Sequence, residues 1–422
     1  MSPPGRPKGE YRNAQHEGSL MSDARPLPTL VVAAALALGS AVSLGLARFA
    51  YALLLPPMRA DLGWSYFTAG AMNTVNAAGY FAGALAAPAG LRRFGARGVF
   101  LGGIAVTALA LLGHGLVVAD AALYALRFVT GVGSAATFVS GGLLAARLII
   151  APVVAHVRPA ASAGLVLGIY YGGTGVGIVA SALLVPALAE RAVAHAWQGA
   201  WTGLAGLALI AMAVAAAATR RLADAATKAA ASDARPHFRW RAFAPALASY
   251  LLFGLGYIGY MTFVISLLRE EHLAGAVVIA FFVMLGAAVV ASSWLWAGVL
   301  QRARGGGALA LLNALLAVAT LLPVLSVQPL AVFASGLLFG AVFLSLVAST
   351  TSLVRHNLAP AAWPSGIAAF TIVFAAGQIV GPSAVGFIAD HFGGLRAGFA
   401  CSAAVLGLAA LLATRQKAIG TG

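Results

Sequence analysis

Long apolar runs separated by short polar breaks make up almost the whole chain. The runs lie near 28–55, 66–89, 98–118, 121–146, 163–187, 199–218, 243–268, 273–297, 308–325, 329–353, 362–388 and 394–414. Most reach the roughly 20 residues that a helix needs to cross a hydrocarbon core about 30 Å thick. In lipid every backbone polar group must be satisfied internally, so the choice is helices or a closed barrel. Runs rich in Ala, Leu and Gly, without period-two alternation, predict helices. The pattern therefore predicts an all-α membrane protein with twelve transmembrane helices.

Composition agrees. Of 422 residues, 61% are hydrophobic and 9% charged, with a mean hydropathy of +0.93. A soluble domain carries roughly 25% charged residues. The net charge of +15 suggests a nucleic-acid surface until its distribution is read. With a cytoplasmic N-terminus, twenty of the 26 Lys and Arg residues fall on the inner side. Arg92, Arg93 and Arg97 are among them, as are Arg220, Arg221, Lys228, Arg235, Arg239, Arg241, Arg302 and Arg304. Four fall outside (Arg59, Arg191, Arg269, Arg396), and Arg48 and Arg127 lie within runs. That asymmetry is the positive-inside bias; it puts both termini in the cytoplasm and excludes a nucleic-acid partner. Indoles prefer the headgroup level, and the threading places Trp64, Trp197 and Trp201 at outer boundaries and Trp240, Trp294, Trp296 and Trp363 at inner ones. Cys401, the only cysteine, leaves no disulfide or thiolate metal site within the chain. Residues 1–27 are polar, lack a signal-peptide core, and read as a disordered cytoplasmic tail; Met21 is an alternative start.

The second half of the chain echoes the first. Gly45 and Tyr51 match Gly254 and Tyr260, with Arg48 in the place of Tyr257. Arg147 to Pro152 matches Arg355 to Pro360, and Gly173 and Gly177 match Gly377 and Gly381. These echoes at nearly one offset predict two pseudo-symmetric six-helix bundles, 28–218 and 243–414. A cytoplasmic linker at 219–242 joins them, and a short tail follows at 415–422. Halves of this kind enclose a cleft near the bilayer midplane that rocking exposes to each side in turn.

The motifs then resemble those of the major facilitator superfamily. Arg92-Arg93-Phe94-Gly95-Ala96-Arg97 is similar to its loop motif G-x-x-x-D-R-x-G-R-R: Arg93, Gly95 and Arg97 match, while Arg92 replaces the acid and Pro88 the leading glycine. Arg127-Phe128-Val129-Thr130-Gly131-Val132-Gly133 resembles the fourth-helix motif. Ala47-Arg48-Phe49-Ala50-Tyr51, Leu54-Leu55-Pro56-Pro57-Met58 and Gly377-Gln378-Ile379-Val380-Gly381-Pro382 resemble the YbfB/YjiJ-like branch. The resemblance implies the major facilitator fold, a gating role for the loop motif, and proton coupling.

No Asp or Glu falls inside any run, so a carboxylate proton relay and an intramembrane aspartyl protease are disfavoured. There is no H-E-x-x-H zinc motif and no G-x-S-x-G elbow. Arg48 sits about 12 Å before Pro56, where its run ends, only a few Å from the midplane. Arg127 lies about 9 Å inside the fourth run. A buried guanidinium without a nearby acid offers paired donors to a carboxylate or phosphate. Tyr51, Asn73, Asn76, Tyr257, Tyr260 and Gln378 are further candidates for hydrogen bonds to a substrate, each with a plainer reading as helix–helix glue. His114 is a candidate proton site or an interfacial histidine, and Tyr170 and Tyr171 are candidates for an inner gate. Arg93, Gly95, Arg97, Gly173, Gly177, Gly377, Gly381 and Pro382 are expected to serve conformational change, the glycines alternatively close packing.

The expectation is a monomeric secondary transporter in a bacterial inner membrane. It needs no cofactor or metal and is not an enzyme. Its partners are the lipid bilayer, a small organic solute (an anion favoured) and protons. The alternatives are a proton-coupled exporter of drugs or metabolites, a membrane sensor and a membrane enzyme.

Overall fold

The computed structural model describes residues 28–154, 163–220, 222, 238–359 and 362–419. The predicted tail 1–27, most of the predicted linker with Arg221, Lys228 and Arg235, and Pro360 lie outside them.

Eleven helices among the described residues are long and apolar enough to cross a membrane. The first crossing is composite: α1 (Thr29–Ser40), a π-helical stretch (Ala41–Phe49) and α2 (Tyr51–Leu62). In the wide turn the Ala50 N–H reaches back to the Gly45 carbonyl at 2.9 Å, five residues rather than four. The helix runs past Pro56 to Leu62, beyond the expected end. Residues 58–62 include Arg59 and Asp61, so the apolar pattern stops before the backbone does. Gly63 then ends the helix with a left-handed φ of 65°.

The next helix, α3 (Tyr66–His114), has 49 residues, or about 74 Å at 1.5 Å per residue, more than twice the hydrocarbon thickness. It is broken at Gly95, whose φ of 69° and ψ of 168° are open to glycine and strained for other residues. Then follow α4 (Asp120–Val154), α5 (Ala163–Ala189) and α6 (Trp197–Ala218). The second half begins with a 3₁₀ turn and α7 (Ala244–Glu270), then α8 (Gly275–Leu295) continued by α9 (Ala297–Arg302). It closes with α10 (Gly307–Leu325), α11 (Pro329–Asn357), α12 (Trp363–His391) and α13 (Gly394–Thr414).

Burial separates central from peripheral helices. The most apolar windows of the first crossing and of α7 are 78% and 83% buried, against 39% for α6 and α13. Leu109, Ile210, Leu330 and Leu411 project outward from the outer helices, where lipid is the natural neighbour. The central helices pack through glycine. A Cβ at Gly45 would lie 2.5 Å from the Gly177 Cα, and one at Gly173 would overlap the Ala37 carbonyl. In the second half Gly377 and Gly381 stand in the same relation to Leu251 and Leu255 of α7. The glycines of the sequence echo thus do equivalent packing work in each half.

One end of the bundle carries every described acid: Asp61, Asp120, Glu190, Glu270, Glu271 and Asp390. There Asp61 accepts from the Trp197 indole and His195, and Asp120 from the Trp64 indole. The opposite end is basic. Arg97 donates to the Ala216 carbonyl and the Thr219 hydroxyl at the foot of α6. In the second half the chain after α13 plays a similar part: the Gln416 carbonyl accepts from the Gly306 N–H at 2.9 Å, and the Gln416 amide donates to the Ala242 carbonyl at 3.2 Å.

Candidate functional site

The two halves meet through α3 with α12, α2 with α7, and α5 with α8. Among the described residues the hydrogen bonds from one half to the other lie at the acidic end and in the middle. Asp390, near the end of α12, accepts from the Tyr66 and Phe67 N–H groups at 2.9 and 2.8 Å. A carboxylate bridging the free N–H groups of a helix start is well placed electrostatically. Glu190 pairs with Arg269. Deeper in, Thr74 meets the Ser383 hydroxyl and donates to the Ile379 carbonyl, and the Asn73 amide donates to the Thr262 hydroxyl at 2.7 Å. At the other end Trp294 covers Gly168, so α5 and α8 stay packed along their length.

Arg127, from α4, is buried and fully engaged. It donates to the Ala47 carbonyl of the π-helical stretch (2.9 Å), to the Asn73 side-chain oxygen (3.0 Å) and, weakly, to the Met72 carbonyl (3.4 Å). Its guanidinium lies 4.6 Å from the Tyr51 ring centre and 5.9 Å from that of Trp201. Tyr51 in turn donates to the Ala69 carbonyl, and Asn76 to the Arg127 carbonyl. These residues knit the first crossing, α3 and α4 into one unit. Tyr260 is also committed: its hydroxyl pairs with Ser335 and its ring stacks on Phe339, inside the second half.

Arg48 differs. It is only 4% exposed, and its Nε and Nη2 have no hydrogen-bond partner. Along the crossing it lies about 21 Å from Leu62 and about 29 Å from Thr29, a few Å from the middle. Tyr80 of α3 is 5.7 Å away, and Tyr257 of α7 is within electrostatic reach from the other half. The Tyr257 hydroxyl donates to the Gln378 side-chain oxygen at 2.9 Å. Arg48 and Tyr257 therefore approach each other across the seam between halves, with Gln378 held by Tyr257, whereas Tyr51, Asn76, Arg127 and Tyr260 are occupied within one half. Asn73 joins Arg127 of the first half to Thr262 of the second.

Of the residues expected to serve conformational change, Pro382 lies on the seam, its carbonyl against Gly70 of α3. Gly173, Gly177, Gly377 and Gly381 pack within their own halves. Arg93 is exposed at the Gly95 break, 5.4 Å from the Phe94 ring centre. His114 is wholly buried, its Nδ1–H donating to the Ala110 carbonyl at 2.7 Å and its ring stacked on Trp201 at 4.5 Å, with Nε2 unpartnered. Tyr170 donates to the Phe138 carbonyl, and Tyr171 is partly exposed beside it. Cys401 is exposed on the outside of α13. Sequence reasoning passed over Tyr80, Thr262 and Asp390. Tyr80 carried a usable signal, since Asn73, Asn76 and Tyr80 recur at helical spacing on one face. Asp390 carried none, because its partners are backbone groups 323 and 324 residues away.

The family described as "Uncharacterised MFS-type transporter YbfB" matches residues 40–414. The chain belongs to this family of major facilitator transporters. Two solved structures share the fold. One is a mutant of the nucleoside transporter NupG, at 13% identity and a TM-score of 0.72, covering 91% of this chain and 98% of that one. The other is a bacterial homologue of the human lysosomal transporter Spinster in an inward-facing and unoccupied conformation, at 15% identity and a TM-score of 0.69, covering 91% and 96%. No curated protein matches by sequence. This MFS-type transporter is thus a multi-pass membrane protein that moves small molecules and is not an enzyme.

Proposed function

We propose that this transporter moves a small organic anion across the bacterial inner membrane by alternating access, with Arg48 as its anchor. The observation that carries the reading is the unpartnered Arg48 guanidinium at the seam. An arginine near the bilayer centre costs about 2.5–3.5 kcal/mol on insertion scales, more by other reckonings. Arg127 recovers such a cost through its acceptors, whereas Arg48 has none, and no acid lies in the interior of a described span. A substrate anion supplies the missing charge and acceptors together.

The architecture we infer has two six-helix halves, 28–218 and 243–414, and both termini in the cytoplasm. Splitting α3 at Gly95 brings the eleven apolar helices to twelve spans. The acidic end is then external, and Asp390 and Glu190 hold the two halves together there. The family resemblance implies proton coupling. His114 is the one fully buried imidazole among the described residues and the coupling candidate in the absence of a buried carboxylate. The protein acts as a monomer in this reading.

A thermal-shift screen of the purified protein against a metabolite library tests the proposal, because a ligand that binds only the folded state raises its stability by mass action. Hits are expected to be anions whose effect disappears in Arg48→Gln. Hits that are neutral, or that stabilise Arg48→Gln as much as the parent, refute the anchor.

A further inference from the structure

Arg48 makes no hydrogen bond among the described residues, and its two buried unpartnered nitrogens are Nε and Nη2. Nε–H and one N–H of Nη2 share one long edge of the planar guanidinium and point the same way, the geometry that receives both oxygens of a carboxylate. Each nitrogen of Arg127 already meets an acceptor in Met72, Ala47 or Asn73, so Arg48 is the buried arginine left to pair with a substrate group. One such edge matches one carboxylate.

The neighbours of the guanidinium are aromatic: Tyr80 at 5.7 Å and Tyr257 within electrostatic reach. From Tyr257 a set of nearly parallel rings extends through the second half. Phe253 lies at 4.7 Å and 23°, Phe374 at 5.7 Å and 15°, and Phe343 at 6.1 Å and 13°. Phe253 and Phe374 are themselves 5.2 Å apart at 11°. Most aromatic pairs in a core mix edge and face contacts, whereas this cluster keeps one ring orientation. A planar ring arriving in that orientation stacks without turning its neighbours. Across the seam Phe49, the residue after Arg48, meets Phe343 edge-on at 5.6 Å, and the Arg48 guanidinium is within electrostatic reach of Tyr257, where the parallel set begins.

We propose that the Arg48 site takes a planar aryl monocarboxylate, its carboxylate on Nε and Nη2 and its ring against Tyr257 and Phe343. The proposal rests on the anion reading above and narrows it. In this proposal the Gln378 amide, whose oxygen accepts from the Tyr257 hydroxyl, is the polar group nearest the ring on that side.

Calorimetry on the purified full chain in nanodiscs tests it with benzoate, 1-naphthoate and indole-3-carboxylate as probes. Benzamide removes the charge, cyclohexanecarboxylate removes planarity, and benzene-1,2-dicarboxylate adds a second charge. At least one aryl monocarboxylate is expected to bind, with the dicarboxylate weaker. Loss of the charge should cost roughly tenfold or more, since charge-assisted bidentate pairs are the strong ones. Loss of planarity should cost roughly two- to tenfold, the range of an aromatic pair. Arg48→Lys should weaken every acid while sparing the preference for a ring, and Tyr257→Leu should bring benzoate and cyclohexanecarboxylate to parity. The probe comparison on the parent needs neither variant to fold. Equal binding of benzoate and cyclohexanecarboxylate by the parent overturns the aryl assignment and leaves anion transport standing. If no aryl acid binds, the assignment is overturned; if an acid binds Arg48→Gln as tightly as the parent, the anion reading falls with it.

Discussion

Arg127→Lys separates structural from functional arginines in this protein. Lysine keeps the charge but replaces the planar fork with a single ammonium. Arg127 holds two well-placed acceptors on different elements, the Ala47 carbonyl of the first crossing at 2.9 Å and the Asn73 side chain of α3 at 3.0 Å. A lysine at the same position reaches one of them. The other is left buried and unmet, at about 1–3 kcal/mol. Loss of the guanidinium from the face of Tyr51 adds about 0.5–1 kcal/mol. The expected destabilisation is roughly 1.5–4 kcal/mol for Arg127→Lys and about 2–6 kcal/mol for Arg127→Ala, which orphans both acceptors. Unfolding by SDS in mixed micelles, followed by tryptophan fluorescence, gives the measurement, and Trp201 at 5.9 Å is a local reporter. Asn73→Ala in the same series completes a double-mutant cycle, with an expected coupling of about 0.5–3 kcal/mol between the two sites. If Arg127→Lys unfolds within about 0.5 kcal/mol of the parent, the spread of a neutral surface change, the bonds drawn here carry no stability and the argument fails.

Three further outcomes are expected. Gly45→Ala should lower the stability of the purified protein by about 1–3 kcal/mol or more, because its methyl meets Gly177 backbone, while Gly206→Ala, with open space around it, should change little; equal effects would refute the close packing of α5 on the first crossing. Asp390→Asn should weaken the cap on α3 and open the acidic end more often. In a Cys401→Ser background with Ala389→Cys, buried at that end, maleimide labelling should then speed up, and unchanged labelling would remove Asp390 from the seal. Reporter fusions after Gly95 should read cytoplasmic and at Asp120 external, and a cytoplasmic signal at Asp120 would reverse the orientation.

The sequence by itself determined the class of fold. Runs of about twenty apolar residues have few stable solutions in lipid, and helices are the one these runs take. The depth of Arg48 and the echo between Gly45, Gly173 and Gly177 and Gly254, Gly377 and Gly381 were also legible, since both depend on position along helices of known rise. The second span was harder to read, because Gly95 interrupts the α3 helix by a single dihedral rather than by a polar loop. What tertiary structure decided was the fate of each buried polar group. Arg48 and Arg127 look alike in sequence, as intramembrane arginines at similar depth. Arg127 turned out to face Ala47 and Asn73, which come from other helices, and Arg48 to face Tyr80 and Tyr257 with two donors unmet. Hydrogen-bond satisfaction is a property of neighbours brought together by packing, and neighbours at sequence separations of 54 to 80, as for Arg127, leave no periodic trace in the chain. The same holds for Asp390, whose value lies in two backbone N–H groups at the start of a helix in the other half.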